Sequence, residues 1–541
     1  MKKPLEENGI HRAKTWEIAC YAANNVSTNT YLMLVSYISY YLIGIVGVGA
    51  VLAGSIITIM RVWDGVTDPF VGFVVDKTNG RFGKNRPFLV IGQGIMFVTT
   101  WLMYNVITNV SVNLRFPLFI LFYLIYIVGY TFQCVVTKSA QTCITNDPKQ
   151  RPMFAIFDSV YNVLLMSVFI PMYVTDTLVP KYNLNMAQHG DHINSLIAQN
   201  PNLANVLTEK DGVQVLSAFY NPAMFQEMQL GLGALSFVLM VLAVIGLWRK
   251  DNTRYYGTGK TVRIRLRDYV ETLSHNRAIQ MLVVSASTDK LASQMFSNAT
   301  VRICLFGVIM GSYPLYSSFS QLTAIPICLV SIIGLNQVAR KMGQKMSMLV
   351  GSIGGLVGAG LILVLFYFGT PLGATLPQFR LLNPTTWGTL FHTSNYTFFG
   401  VAFLLLYIFW QGMTKLSGSI VITMTADCAD YEVYRSGKYV PGLMGTLFSF
   451  VDKLISSLAT TIVALVYAVV GFGQALPTQD TPFSTGLFWA TMICYLGAPC
   501  FGWICNLIAM KFYPLTKSKM AEIQDEIARI KAEYSSQAAN N

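Results

Sequence analysis

The sequence predicts an all-α integral membrane protein with twelve transmembrane helices in two six-helix bundles. Three observations carry that expectation. The chain is 53% hydrophobic and only 12% charged, with mean hydropathy +0.48, which is too apolar for a soluble globule of 541 residues. It contains twelve mostly apolar stretches, each about 20 residues long, centred near residues 32, 61, 97, 128, 166, 237, 291, 325, 358, 411, 456 and 498. A long basic loop, 249–277, leaves six of these stretches before it and six after.

An even number of spans puts both termini on one side, and the charge of the loops says which. Every second loop is basic, from Lys77, Arg81, Lys84 and Arg86 after the second span to Arg435 and Lys438 after the tenth; the alternate loops offer little beyond Arg115, Lys181, Lys210 and Arg380. The positive-inside rule therefore makes the basic loops and both termini cytoplasmic. The net charge of +12 is explained by this topology, which removes the argument for a nucleic-acid partner. The first twenty residues are polar and charged, so no cleavable signal peptide is expected. Nine cysteines, an odd number, fall in or beside spans, and a disulfide framework is not expected.

These elements give four regions: a first bundle over 1–248 with an extracytoplasmic insertion at about 177–226, a middle loop at 249–277, a second bundle over 278–512, and a cytoplasmic tail over 513–541. "GRFGKNRPFLVIG" after the second span is echoed by "ARKMGQKMSMLVG" after the eighth, which suggests a duplicated six-helix unit. The insertion has room for a couple of short helices, either capping an outer vestibule or passive. A second long outer loop is expected at 370–396. The tail has helical spacing and mixed charge, as a solvated or interfacial helix would.

Several chemistries are excluded. "YYGTGKT" resembles the end of a phosphate-binding loop, but Arg254 stands where its first glycine belongs and no strand precedes it. All five histidines (His11, His189, His192, His275, His392) lie outside the spans, leaving no clustered metal ligands and no intramembrane nucleophile–base pair. An enzyme is not expected, nor any cofactor beyond a coupling ion.

The intramembrane charges are the positive signal, because ionisable groups in hydrocarbon are costly and tend to face a cavity or a partner. They are Arg61, Asp64 and Asp68 in the second span, Lys138 in the fourth, Asp158 in the fifth, Asp289 and Lys290 in the seventh, Lys415 in the tenth, and Asp452 and Lys453 in the eleventh. Arg61, Asp64 and Asp68 stand at i, i+3 and i+7, one helical face. Two carboxylates one turn apart cannot both stay charged in a poorly solvated site without a cation. Na+ or a proton would serve, with Arg61 as the resting counter-ion. Pro69 lacks an N–H, so the carbonyl of Gly65 loses its helical donor and becomes available as an oxygen ligand. Asp158, Asp289 and Lys290 are candidate ion-pair or gating residues.

The stretch "RVWDGVTDPFVGFVVDKTNGRFGKNRPFLVIG" (Arg61 to Gly92) resembles the signature of the glycoside–pentoside–hexuronide:cation symporters, the melibiose-permease branch of the major facilitator superfamily. "TADCADYEVYRSGKYVPGLMGTLFSFVDK" (Thr425 to Lys453) and "FYPLTKSKMAEI" (Phe512 to Ile523) resemble two further regions of that family. The resemblance covers the chain apart from the insertion. It implies that Asp64 and Asp68 coordinate the coupling cation, that Thr131 assists, and that Lys453 bridges the cation and sugar sites. It also exposes departures: Thr28 or Asn29 replaces a sugar-binding acid in the first span, Cys134 replaces an acid in the fourth, Lys138 replaces a sugar-stacking tryptophan, and the fifth-span arginine has no clear counterpart. The loss of a third carboxylate weakens the case for Na+ relative to H+.

Lys138, Lys415 and Lys453 come from both halves and would suit an anionic ligand if they converge on a central cavity. If Asp158, Asp289 and Asp452 neutralise them, the ligand is a neutral glycoside instead. Asn25, Thr28, Asn29, Tyr130, Cys134, Ser449 and Asp452 complete the candidate substrate set, the amides suiting sugar hydroxyls. The expected function is cation-coupled symport of a sugar derivative, with an anionic glycoside such as a hexuronide favoured. The carrier is expected to work as a monomer in the plasma (inner) membrane, by alternating access. A lysolipid or amphiphile carrier of the same superfamily is the nearer alternative; a non-transporting membrane sensor is the alternative from a different class.

Overall fold

A computed structural model describes residues 12–145, 150–252, 276–334, 340–369, 398–436, 441–523 and 525–526, apart from Asn79 and Arg81. The middle loop after Asn252 and the outer loop at 370–396 lie outside the described residues. Among the described residues nine helices are long and apolar enough to cross a membrane: Thr15–Val46, Ala50–Val75, Arg86–Asn109, Val112–Gln141, Ile156–Tyr182, Pro222–Leu247, Gln344–Phe368, Phe399–Ser417 and Thr485–Phe512. Three shorter apolar helices, Ala299–Ile309, Leu315–Val330 and Lys453–Val469, are parts of longer helical runs: Arg277–Phe296 with Ala299–Ile303 and Cys304–Ile309, Leu315–Gly334, and Pro441–Val469. In chain order these make twelve spans, matching the twelve apolar stretches.

The chain divides into two compact units. The first holds Met1–Lys260, Arg302–Gln321 and Ala464–Phe483; the second holds Thr261–Val301, Leu322–Val463 and Ser484–Asn541. Within the first unit span 1 packs along span 6 and span 3 along span 4; within the second, span 7 packs along span 12 and span 9 along span 10. The two sets of pairs correspond when the first six spans are laid on the last six.

The basic turns match too. Gly83 and Gly343 both take φ of +92°, a left-handed conformation that glycine adopts without steric penalty. Each turn is held by the segment that follows the last span of its half. In the first unit the buried Asp251 carboxylate accepts the backbone N–H groups of Lys84, Asn85 and Arg86 at 3.2, 2.9 and 2.9 Å, capping the N-terminus of span 3. In the second, Lys345 Nζ donates to the Tyr513 carbonyl at 2.7 Å and Lys517 Nζ to that of Lys341 at 3.0 Å.

The insertion differs from the expectation. Span 5 runs on to Tyr182 and span 6 starts at Pro222, so the inserted segment is only 183–221. Besides a helix, Met186–Gln199, it holds a three-stranded antiparallel sheet in the order β1 (Leu184–Asn185), β3 (Val213–Leu216), β2 (Thr208–Lys210). β2 and β3 are joined by Asp211 and Gly212, both at positive φ, as a tight two-residue hairpin requires. Buried Arg115 ties the segment down, donating to the carbonyls of Ile45, Thr108, Val110 and Gln199. The tail also departs from a purely solvated or interfacial helix. Its first turns dock on the second unit, with Ile523 fully buried in a core that includes Tyr513 and Leu515.

Candidate functional site

Span 2 continues as one helix from Ala50 to Lys77, passing through Pro69 without ending. Arg61, Asp64 and Asp68 therefore share a face, as their spacing requires. Asp64 is only 4% exposed; Asp68, Arg61 and Gly65 are half-buried. Opposite Asp64, on span 4, stands the fully buried Thr131, whose hydroxyl lies 3.1 Å from Asp64 Oδ1. Thr67 joins them, its hydroxyl 3.2 Å from that of Thr131 and 3.0 Å from the Asp64 carbonyl. This is a cluster of hard oxygen atoms around one buried carboxylate.

Tyr130, one of the candidate substrate residues, stands beside Asp64 with two tyrosines that the sequence did not single out. Tyr123, Tyr126 and Tyr130 line a cavity with Arg61, Asp64, Met60 and Ile127, closed by Leu32 and Val35 of span 1. Arg61 and Asp64 line this cavity together with all three phenols, so the guanidinium lies among aromatic side chains beside the acid. The cavity holds about 20 Å3, room for about one water molecule and far too little for a sugar. The signal was present: the tyrosines stand at i, i+3 and i+7, the same period as Arg61, Asp64 and Asp68, so two matched stripes face each other on spans 2 and 4. Tyr130 also hydrogen-bonds Cys134, one turn along.

A second polar group joins spans 1 and 5. Asn25 Nδ2 donates to Asp158 Oδ1 at 2.7 Å, Asn162 Nδ2 donates to the same oxygen at 3.0 Å, and Asn29 Nδ2 reaches Asn162 Oδ1 at 3.4 Å. Asp158 is thus held by amides, and Asn25 and Asn29 are each bound to it or to its partner. Thr28 is placed differently from its neighbours: it is 3% exposed and its hydroxyl donates to the Asn24 carbonyl in its own helix.

In the second unit, Lys290 of span 7 and Lys415 of span 10 are exposed and within electrostatic reach as like charges. Asp289 and Lys453 are half-buried. Lys138, Ser449 and Asp452 lie on helices of spans 4 and 11, but their side chains fall outside the described residues. Of the predicted set, then, the fold gathers Arg61, Asp64, Thr131 and Tyr130 at one point, and Asn25, Asn29 and Asp158 at a second.

Comparison with known proteins bears on the chain as a whole. Residues 20–517 match the family model described as MFS/sugar transport protein. The chain belongs to this family. It is accordingly a multi-pass membrane transporter of the major facilitator superfamily and not an enzyme, which agrees with the resemblance read from Arg61 to Gly92. Among family relatives it is similar to the glucuronide carrier protein homolog of Escherichia coli, 23% identical over 532 residues and 96% of both chains. It is similar also to the isoprimeverose transporter of Lactiplantibacillus pentosus, 19% identical over 93% of this chain and 90% of that one. In fold it resembles the nucleoside transporter NupG, with a TM-score of 0.57 at 10% identity, covering 93% of this chain and 100% of that one. As a sugar-transport family member, the chain carries a small-molecule sugar.

Proposed function

We propose that the protein is a cation-coupled symporter that imports an anionic glycoside, such as a hexuronide, by alternating access. Asp64 is the loading site for the coupling ion, Na+ or H+, with Asp68 one turn along and Thr131, Thr67 and the Gly65 carbonyl as neutral oxygen partners. The observation that carries this reading is the burial of Asp64 at 4% exposure with the Thr131 hydroxyl at 3.1 Å. A carboxylate so removed from water calls for a positive partner, the role of the coupling ion. In the resting carrier Arg61, which lines the same cavity as Asp64 and the three tyrosines, serves as counter-ion, and the coupling ion takes over that role on arrival.

The anionic substrate rests on two supports. Lys290 and Lys415 keep like charges close together in the second unit, an arrangement that a bound carboxylate relieves. A relative covering 96% of the chain is named for glucuronide carriage. Asn25 and Asn29 offer amides to sugar hydroxyls. The carrier sits in a plasma (inner) membrane with both termini cytoplasmic, an orientation that the basic alternate loops support.

Asp64→Asn tests the assignment. The variant is expected to lose gradient-driven accumulation while keeping counterflow exchange of substrate, because the neutral amide imitates the loaded site. Uphill accumulation at the parent rate would overturn the role of Asp64.

A further inference from the structure

Two segments of the first unit are flanked in the chain by residues of the second: Arg302–Gln321, at the end of span 7 and start of span 8, and Ala464–Phe483, which links spans 11 and 12. The inserted segment and its neighbours hold both. Lys210, beside the tip of the β2–β3 hairpin, pairs with Asp480 at 2.8 Å. Tyr220 donates its hydroxyl to the Leu476 carbonyl at 2.7 Å, and Tyr40 of span 1 to that of Pro477 at 2.8 Å. Span 2 begins in the same place, with Ala50 N–H donating to the Gly473 carbonyl at 3.0 Å. The other segment meets an aromatic stack. Phe219 of the insertion lies face-on to Tyr37 and edge-on to Tyr313, whose hydroxyls are 3.2 Å apart, and Ser317 donates to Asp176 at 2.9 Å.

These contacts have the character of a releasable catch. Those to the 464–483 segment are one ion pair and a few hydrogen bonds to loop carbonyls, each individually modest. The catch also leaves polar atoms unsatisfied among the described residues: Asp480 Oδ2 and Arg302 Nε are buried without a hydrogen-bond partner. Asp480 is 4% exposed, whereas the Lys210 side chain is half exposed. The pair therefore sits at a rim, where water and salt can reach one member.

We propose that the inserted segment 183–221 is an extracytoplasmic latch on the loop between spans 11 and 12. Lys210, Phe219 and Tyr220 are positioning residues for the transport cycle. The latch is closed here and must let go of Ala464–Phe483 before that face opens. The inference rests on the alternating-access reading, but not on the identity of the substrate.

Native Cys304 supplies the readout, being fully buried and within electrostatic reach of Tyr220. In full-length protein with the other eight cysteines replaced, labelling of Cys304 by a membrane-impermeant maleimide from the outside is expected to be slow. Lys210→Met should speed it about tenfold, because a buried carboxylate loses its partner. The double variant Lys210→Met/Asp480→Asn should fall back toward the parent, since the stranded charge is gone. Tyr220→Phe with Tyr40→Phe, which removes two hydrogen bonds at nearly constant volume, should speed labelling independently and guards against a folding artefact at Lys210. Labelling at the parent rate in both Lys210→Met and the tyrosine pair would overturn the latch. Should labelling respond as expected while no glycoside moves in any variant, the latch stands and the substrate assignment fails.

Discussion

At the scale of single residues, the acids of span 2 were readable because burying a carboxylate is so unfavourable that its appearance in an apolar run demands a reason. Their partners were harder to see. Thr67 and Thr131 look like any intramembrane hydroxyl, whose ordinary role is a bond to its own helix, as Thr131 also makes to Ile127. Thr131 was named through the family resemblance, whereas only the packing of span 4 on span 2 distinguishes Thr67. Arg302 was missed altogether, although its Nη1 lies 2.6 Å from the Tyr316 hydroxyl, because it stands at the end of a stretch and reads as a loop charge.

Asp427, on the span-10 helix beyond Ser417, yields a pH prediction outside the membrane. Burial, together with the nearby Asp430 carboxylate, pushes its carboxyl up from 3.8 to about 6. Between those values the folded protein holds the proton more tightly than the unfolded chain, so stability falls as pH rises through that window. Asp427→Asn removes the penalty on the charged form. It is expected to flatten the decline in thermal midpoint between about pH 4 and 6 and to raise the midpoint of the detergent-purified protein near pH 7. An unchanged pH profile would show that Asp427 does not carry this dependence.

At the scale of elements, the helices were legible because about 20 apolar residues in a row admit few other solutions. The echo between the turns after spans 2 and 8 was also legible, and the structure extends it. Both turns pivot on a left-handed glycine, and spans 1 and 7 each end in a wide turn, Leu42–Val46 and Cys304–Ile309, followed by Gly47 and Gly311 at positive φ. The sheet in the insertion was not read, although "TEKDGVQV" carries a hairpin signal in its Asp-Gly pair. Its strands are two to four residues long, too short for alternation to declare itself. Asp251 makes the turn after span 2 testable. Asp251→Ala strands three backbone N–H groups at a helix start and is expected to lower stability by about 2 kcal/mol, read as a reduced thermal midpoint in detergent. Asp251→Asn, which keeps an acceptor, should lose less.

At the scale of the whole molecule, two six-span sets follow from the sequence as a count of apolar runs on either side of a basic loop. What a count does not reveal is that Arg302–Gln321 and Ala464–Phe483 group with the first unit. Such packing depends on long-range contacts, among them Lys210 with Asp480, 270 positions apart, which no local pattern encodes. Substrate choice likewise depends on where lysines from distant spans point.

Coupled transport of an anionic sugar is read out by uptake into proteoliposomes. Labelled glucuronide is compared with a neutral galactoside under an imposed Na+ gradient, an imposed proton gradient, or neither. Accumulation of glucuronide above equilibrium under one of the gradients, well in excess of galactoside, is the predicted result. Movement of neither sugar under either gradient, or equal uptake with and without a gradient, would contradict it.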